Sequence, residues 1–244
     1  MKPGISKKLY LLAFNIASFI RRFVVRVIRP KSEYFMYGLP QKFVEPISTK
    51  YGFDRGKPVD RYYIEKFMSE NSSLIKGVCL EITDTAYTEK YGAEKVTKAD
   101  ALDINKNNKM ATIYGDLRDL NNVESNTYDC VIITQTFVMI DDYESAIKEC
   151  HRIIKPGGYA LVTMPCLGPV WNIDNHFWRW TRASAEFLFK KYFPNDLLEV
   201  QTYGNALAGQ CFWVGLSLDE ISTEELEYND KFFPVIVSVK VRKA

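Results

Sequence analysis

The pattern of apolar and polar positions divides the 244-residue chain into three parts. Residues 9–20 (LYLLAFNIASFI) are uncharged and lie between Lys7-Lys8 and Arg21-Arg22. On a helical wheel Lys7, Lys8, Asn15, Ser18, Arg21, Arg22, Arg26 and Arg29 share one arc. Leu9, Leu12, Ile16, Phe19, Ile20, Phe23, Val24 and Val27 fill the opposite side, with Leu11, Phe14 and Val25 as exceptions. The spacing predicts a basic amphipathic helix over residues 1–30, stopped by Pro30. Residues 31–60 hold Gly38, Pro40, Pro46, Gly52, Gly56 and Pro58, and read as an extended connector that wraps onto the body.

From residue 61 onward, strand and helix patterns alternate. A helix is predicted over 61–69, strands over 77–82, 95–98, 111–114 and 128–134, and a short helix after the first strand. Val131-Ile132-Ile133 is a continuous apolar run, as expected for a strand buried on both faces. Tyr143, Ala146, Ile147, Cys150, Ile153 and Ile154 follow helical spacing, with Asp141 or Asp142 placed to cap, and Pro156-Gly157-Gly158 ends that helix. Residues 159–164, 197–203 and 235–241 read as strands and 182–193 as a helix. The predicted fold is α/β: a Rossmann-like, seven-stranded, mostly parallel sheet with helices on both faces, in a domain spanning 61–244.

Composition changes this picture little, but charge placement does. Residues 1–31 carry eight basic and no acidic side chains, whereas the remainder carries 24 basic against 30 acidic. A net negative body argues against a nucleic-acid partner. The uncharged 12-residue stretch is short of the ~20 residues that span a bilayer. Two readings of residues 5–29 stand: a helix lying on a membrane surface, or one packed on the body or on a second subunit of a homodimer. Five cysteines, odd in number and without a C-x-x-C, fit a reducing cytoplasm and neither a disulfide framework nor a zinc site. No metal site is expected, because no His/Asp/Glu set has ligand spacing.

In an open α/β sheet, ligands bind outside the carboxyl ends of the strands. Glu81 closes the first predicted strand, and Asp100 and Asp116 follow the second and third, while Asp129 opens the fourth and reads as structural. The spacing from Glu81 to Asp100 suits a carboxylate accepting from ribose hydroxyls, which admits a nicotinamide dinucleotide or another adenosine ligand. A dinucleotide fold needs G-x-G-x-x-G in the first loop. Here the loop reads Ile82-Thr83-Asp84-Thr85-Ala86-Tyr87, and the next glycine is Gly92, which disfavours a pyrophosphate.

At these residues the chain resembles the class I S-adenosylmethionine-dependent methyltransferases over roughly residues 60–243. The resemblance is carried by VCLEITD (78–84), the acid Asp100, IYGDL (113–117), and YDCVIITQTF (128–137) with the downstream ECHRIIKPGGYALVT (149–163). The acid-led strand, capped helix and R-x-x-K-P-G-G before a strand form the specific combination. DRGKPVDRYYIEKF (54–67) and WRWTRASAEFLF (178–189) resemble a bacterial type often supposed to serve glycan biosynthesis.

The resemblance implies S-adenosylmethionine as cofactor, with Glu81, Thr83 and Asp84 at its methionyl part and Asp100 on the ribose. It also implies Asp116 with the Leu117 backbone at the adenine edge, and Gln135 facing the transferred methyl. Arg61, Tyr62 and Tyr63 are placed over the cofactor carboxylate, which a guanidinium matches bidentately. Thr83 departs from the family, which has its first glycine there; a β-branched residue at positive φ costs about 1 kcal/mol or more. A D-x-x-Y loop, matched by Asp84 and Tyr87, replaces the glycine loop in the related subgroup.

Methyl transfer needs alignment of donor and acceptor and, for a hydroxyl, one base. His176 is the leading candidate, in the segment 165–181 after the fifth strand, with Asp174 to orient it. His151 is assigned to helix packing. Trp171, Phe177, Trp178 and Trp180 either stack on sugar faces or cover an apolar acceptor, or form a local aromatic core. The expected activity is O-methylation of a saccharide or lipid-linked glycan, or of a small molecule, in the cytoplasm or at the cytoplasmic membrane face. The alternative is a catalytically silent scaffold in a glycan-synthesis assembly; a nicotinamide oxidoreductase ranks last.

Overall fold

The computed structural model describes residues 45–170, 172–193 and 197–244. The predicted helix over 1–30, the first part of the connector and Trp171 lie outside the described residues. Seven strands form one sheet in the order β3-β2-β1-β4-β5-β7-β6. They are β1 (Gly77–Ile82), β2 (Val96–Asp103), β3 (Ile113–Tyr114), β4 (Tyr128–Thr134), β5 (Ile154–Pro165), β6 (Leu198–Tyr203) and β7 (Ile236–Arg242). Strands β1 to β5 pair in parallel, while β7 runs antiparallel between β5 and β6.

The sheet is buried on both sides, and side-chain alternation sorts each strand between two cores. Val131 and Ile133 of β4 face one, Cys130 and Ile132 the other. The first core is closed by α2 (Tyr143–Ile153) and α3 (Arg182–Phe189), the second by α1 (Val59–Glu70), α4 (Ala206–Val214) and α5 (Thr223–Glu227). Helix α2 has the apolar stripe its spacing predicts: Ala146, Ile147, Cys150 and Ile153 are fully buried. The Asp142 carboxylate accepts the Ser145 N–H at 3.0 Å and so caps it. Each buried aliphatic chain on such a stripe contributes about 1.5–3 kcal/mol. No helix among the described residues is long and apolar enough to cross a membrane.

Four local expectations are corrected. Strand β2 runs five residues beyond the predicted end at Lys98, because Ala101 and Leu102 continue it into the core. Strand β3 is two residues long, not four. The Pro156-Gly157-Gly158 turn is a bulge inside β5: Ile154 pairs with Tyr128 and Tyr159 with Cys130, so the residues between loop out of the ladder. Helix α3 ends at Phe189, four residues early.

The described part of the connector does lie on the body. The N–H groups of Ile47 and Ser48 both donate to the Val214 carbonyl, at 2.8 and 3.1 Å. Arg55 and Glu220 form a buried bidentate ion pair. Pro58 bridges to Ser217. These ties bring Tyr51, Phe53 and Pro58 to the carboxyl edge of the sheet.

Candidate active site

Two adjoining cavities open at the carboxyl ends of the parallel strands, of about 400 and 440 Å³. Both fall in the range of ligand sites, roughly 300–1,000 Å³. They share Ile82, Thr83, Thr136 and Met139, so the loops after β1 and β4 form the partition between them. Two backbone kinks create the opening. Thr83 has φ 78° and Gln135 φ 53°, and their N–H groups donate to Leu102 and Thr163 carbonyls at 2.8 Å each. Each kink stores on the order of 1–3 kcal/mol and turns the chain off the sheet edge. Thr83 therefore holds the backbone shape that a glycine would supply, and the cavities meet at it.

The first cavity gathers acids from the strand ends. Asp103, at the last position of β2, lines it with Asp116, Leu117, Arg118 and Asp141. One Asp103 oxygen accepts the Asn105 N–H at 2.8 Å, and the other accepts Asn108 Nδ2 at 2.7 Å. Asn108 Nδ2 also donates to the Thr83 carbonyl at 2.7 Å, which ties the loops after β1 and β2 together. A carboxylate accepts about four hydrogen bonds, so two sites remain on Asp103 for a diol. Asp116 is held by Arg118, whose Nη2 approaches at 2.6 Å and whose backbone N–H donates at 2.9 Å. These bonds to Arg118 hold the Asp116 carboxyl below its ordinary pKa.

Asp100, expected on the ribose, is instead in the middle of β2 opposite Leu80. It is buried and accepts from Lys98 Nζ at 2.7 Å, Thr112 Oγ1 at 3.1 Å and the Tyr128 hydroxyl at 3.2 Å. Its place is taken by Asp103, which the two apolar residues after Asp100 could have signalled. Glu81 is also inward: its oxygens accept the Tyr87 and Thr88 N–H groups at 3.1 and 2.7 Å, fixing the π-helical turn Thr88–Gly92, and burial pushes its carboxyl up. The Asp84 carboxylate accepts the Ala86 N–H at 2.9 Å within the loop. Neither acid lines either of these two cavities.

The second cavity gathers residues from distant parts of the chain. Asp60 and Arg61 come from α1, Gln135 from the end of β4, and His176 and Arg179 from the segment after β5. Arg61 Nη1 pairs with Asp60 Oδ2 at 3.0 Å. The other Asp60 oxygen and Gln135 Nε2 are buried without a hydrogen-bond partner among the described residues. Burial raises the Asp60 carboxyl against the opposing effect of Arg61. Burial and the Arg179 charge both lower the His176 imidazole, keeping it neutral at pH 7 and able to accept a proton.

Tyr62 and Tyr63 are corrected: helix α1 turns both away from the cavities. The Tyr62 hydroxyl bonds Glu227, and the buried Tyr63 hydroxyl donates to the Leu226 carbonyl at 3.2 Å. Asp174 is exposed on its loop, does not line either cavity, and its N–H donates to Asn172 at 3.0 Å. The aromatic cluster divides. Trp178 and Trp180 meet Tyr143 edge-on at 5.1 and 5.4 Å, Trp180 buried and Trp178 exposed, while Phe177 lines the first cavity. His151 packs edge-on against Phe193 at 4.9 Å.

Residues 78–162, which supply β1 to β5 and the partition loops, match the family model described as a methyltransferase domain. Over that segment the chain is similar to methyltransferase domains, and its fold is that of S-adenosylmethionine-dependent methyltransferases. A ubiquinone/menaquinone biosynthesis C-methyltransferase of Haemophilus ducreyi is 34% identical over 55 residues, which is 21% of this chain and 21% of that protein. The chain thus matches about a fifth of that relative's length. A putative sarcosine dimethylglycine methyltransferase of Galdieria sulphuraria superposes with TM-score 0.53 at 14% identity, covering 88% of this chain and 98% of that one. A SAM dependent methyltransferase from Archaeoglobus fulgidus gives TM-score 0.52 at 12% identity, covering 75% and 94%. At such identities these two likenesses concern the fold of the methyltransferase domain.

The site's own chemistry fits the cofactor. An adenosine has Asp103 for its diol and the Asp116–Leu117 turn for its base. A methionyl zwitterion has the Asp60–Arg61 pair, whose unsatisfied Asp60 oxygen suits an ammonium and whose guanidinium suits a carboxylate. The sequence reading missed Asp103, Asn108, Asp60 and Arg179.

Proposed function

We propose that this chain transfers a methyl group from S-adenosylmethionine to a hydroxyl of a small acceptor, with His176 as the proton acceptor. The observation that carries the reading is the pair of cavities meeting at Thr83, one faced by acids at strand ends and one by His176, Asp60 and Arg61. When bound, the cofactor supplies an electrophilic methyl group; the protein's part is to align the two reactants and to take a proton. Asp103 and the Asp116–Leu117 turn hold the nucleoside end. The Asp60–Arg61 pair holds the amino-acid end, and Gln135 Nε2 offers a hydrogen bond between that end and the acceptor. His176 removes the hydroxyl proton as the new bond forms.

The walls around His176 favour an apolar acceptor over the saccharide expected from sequence. Val138, Pro165, Leu167, Pro169 and Phe212 form them, and sugar hydroxyls set against such walls lose water without gaining partners. Calorimetric titration with S-adenosylhomocysteine and S-adenosylmethionine, with NAD as the control, tests the reading. Micromolar binding of the first two and none of NAD is expected. Absence of binding by folded protein overturns it in favour of a silent scaffold.

A further inference from the structure

The charge census of the second cavity is unbalanced. Asp60 and Arg61 compensate each other at the α1 end, at 3.0 Å. Arg179, which lines the same cavity and whose charge acts on His176, has no carboxylate partner among the described residues. Its guanidinium is held by backbone alone: Nη2 donates to the Gly168 and Pro169 carbonyls at 2.7 and 3.1 Å, and Nη1 to the Trp178 carbonyl at 3.0 Å. A guanidinium has five N–H donors, so Nε and one Nη1 hydrogen are left for a ligand. A half-buried cation without a counter-ion is a costly arrangement, and a bound anion removes that cost. The same carbonyl bonds fix the guanidinium before any ligand arrives, so little entropy is lost in using it.

Size and wall chemistry narrow the anion. The cavity measures about 440 Å³ and must also take the amino-acid end of the cofactor, which leaves room beside Arg179 for roughly one ring. Leu167, Pro169 and Phe212 line the same cavity and suit an apolar ring.

We propose that the methyl acceptor is a hydroxylated cyclic or aromatic carboxylate, whose carboxylate is bound by Arg179 while its ring lies on Leu167 and Phe212 and its hydroxyl faces His176. This rests on the methyl-transfer reading and names its substrate class. In the reaction the acceptor oxygen bonds the methyl carbon as the carbon–sulfur bond of S-adenosylmethionine breaks. The hydroxyl proton goes to His176, and S-adenosylhomocysteine and the methyl ether leave.

The test starts with S-adenosylhomocysteine affinity, whose absence refutes the methyl-transfer reading itself. Protein saturated with S-adenosylhomocysteine is then titrated with benzoate, with its neutral counterpart benzyl alcohol, and with methyl glucoside. Benzoate is expected to bind at least about tenfold more tightly than either neutral probe, a difference of about 1.4 kcal/mol. In Arg179→Gln the benzoate preference is expected to vanish while S-adenosylhomocysteine affinity holds within about twofold, and Arg179→Lys should recover part of the preference. A purely structural arginine would move both ligands together. Equal binding of benzoate and benzyl alcohol by the wild-type protein, preferred binding of the glucoside, or no saturable benzoate binding overturns the proposal, and none of these outcomes needs the variant to fold.

Discussion

The two halves of the crevice are built on different plans. The proposed nucleoside half is made by residues at the ends of consecutive strands: Asp103 closes β2, and Asp116 and Leu117 follow β3. The proposed acceptor half takes Tyr51 and Phe53 from the connector, Arg61 from α1, Gln135 after β4, Arg179 after β5 and Phe212 from α4. The first is fixed by sheet register, because parallel pairing places every strand end on one edge. The second depends on packing between segments far apart in sequence. A cofactor half that follows from register can stay constant while the acceptor half changes with its loops, and that is how one fold serves many substrates.

The comparison breaks most clearly at His176. His176→Ala should lower turnover by about 10²–10⁴-fold, the usual share of a general base, with S-adenosylhomocysteine affinity unchanged; loss of affinity instead would move His176 into the nucleoside half. Its pH profile has a definite sign. The imidazole must be neutral to act, and its pKa is lowered from 6.5, so the acid limb of kcat/KM should lie below 6.5. Arg179→Gln removes one of the two causes and should move that limb upward.

Arg55→Ala is the next largest expected effect. It strands the buried Glu220 carboxylate, and equilibrium unfolding in urea should show a loss of about 3–5 kcal/mol. What remains folded should lose more of its benzoate affinity than of its S-adenosylhomocysteine affinity, since Tyr51 and Phe53 of the connector line the acceptor half. A smaller effect separates two acids of one strand. Asp103→Ala should weaken S-adenosylhomocysteine binding by about 1–3 kcal/mol and leave stability intact. Asp100→Ala should do the reverse, since it strands the buried Tyr128 hydroxyl at a cost of about 1–3 kcal/mol. Exchange of these two signatures would restore Asp100 to the site.

Thr83→Gly should have the smallest effect, at the seam between the halves. It releases about 1–3 kcal/mol of backbone strain and adds about 0.4–1 kcal/mol of unfolded-chain entropy. The net gain of about 1 kcal/mol should raise Tm by about 2–4 °C. Cofactor affinity should hold; a tenfold loss would show that the threonine hydroxyl or methyl touches the ligand.

Much of this molecule was legible in the order of its residues, for local reasons. The bounds of β1 and β4 and the cap and stripe of α2 follow from periodicity and from Asp142, because neighbouring positions alone decide them. Asp116 was legible as a cavity residue because it follows a strand on the ligand edge, His176 because it is a base in the segment after β5, and Thr83, Leu117, Gln135 and Arg61 through the family resemblance. Asp100 and Asp103 were confused because two acids three residues apart fit one spacing rule. Only the β2 register, with Leu80 opposite Asp100 and Ile82 opposite Leu102, tells which of them reaches the edge. Tyr62 and Tyr63 turned away from the cavities because their hydroxyls bond α5, and Glu81 turned inward because the turn after β1 needs a buried acceptor for two N–H groups. Thus the chain's own pattern determined the sheet, its helices and the edge on which a cofactor sits. Tertiary structure alone decided which acid lines the first cavity and that Arg179 stands without a carboxylate among the described residues, because burial and pairing of charge depend on segments that meet only when the chain has folded.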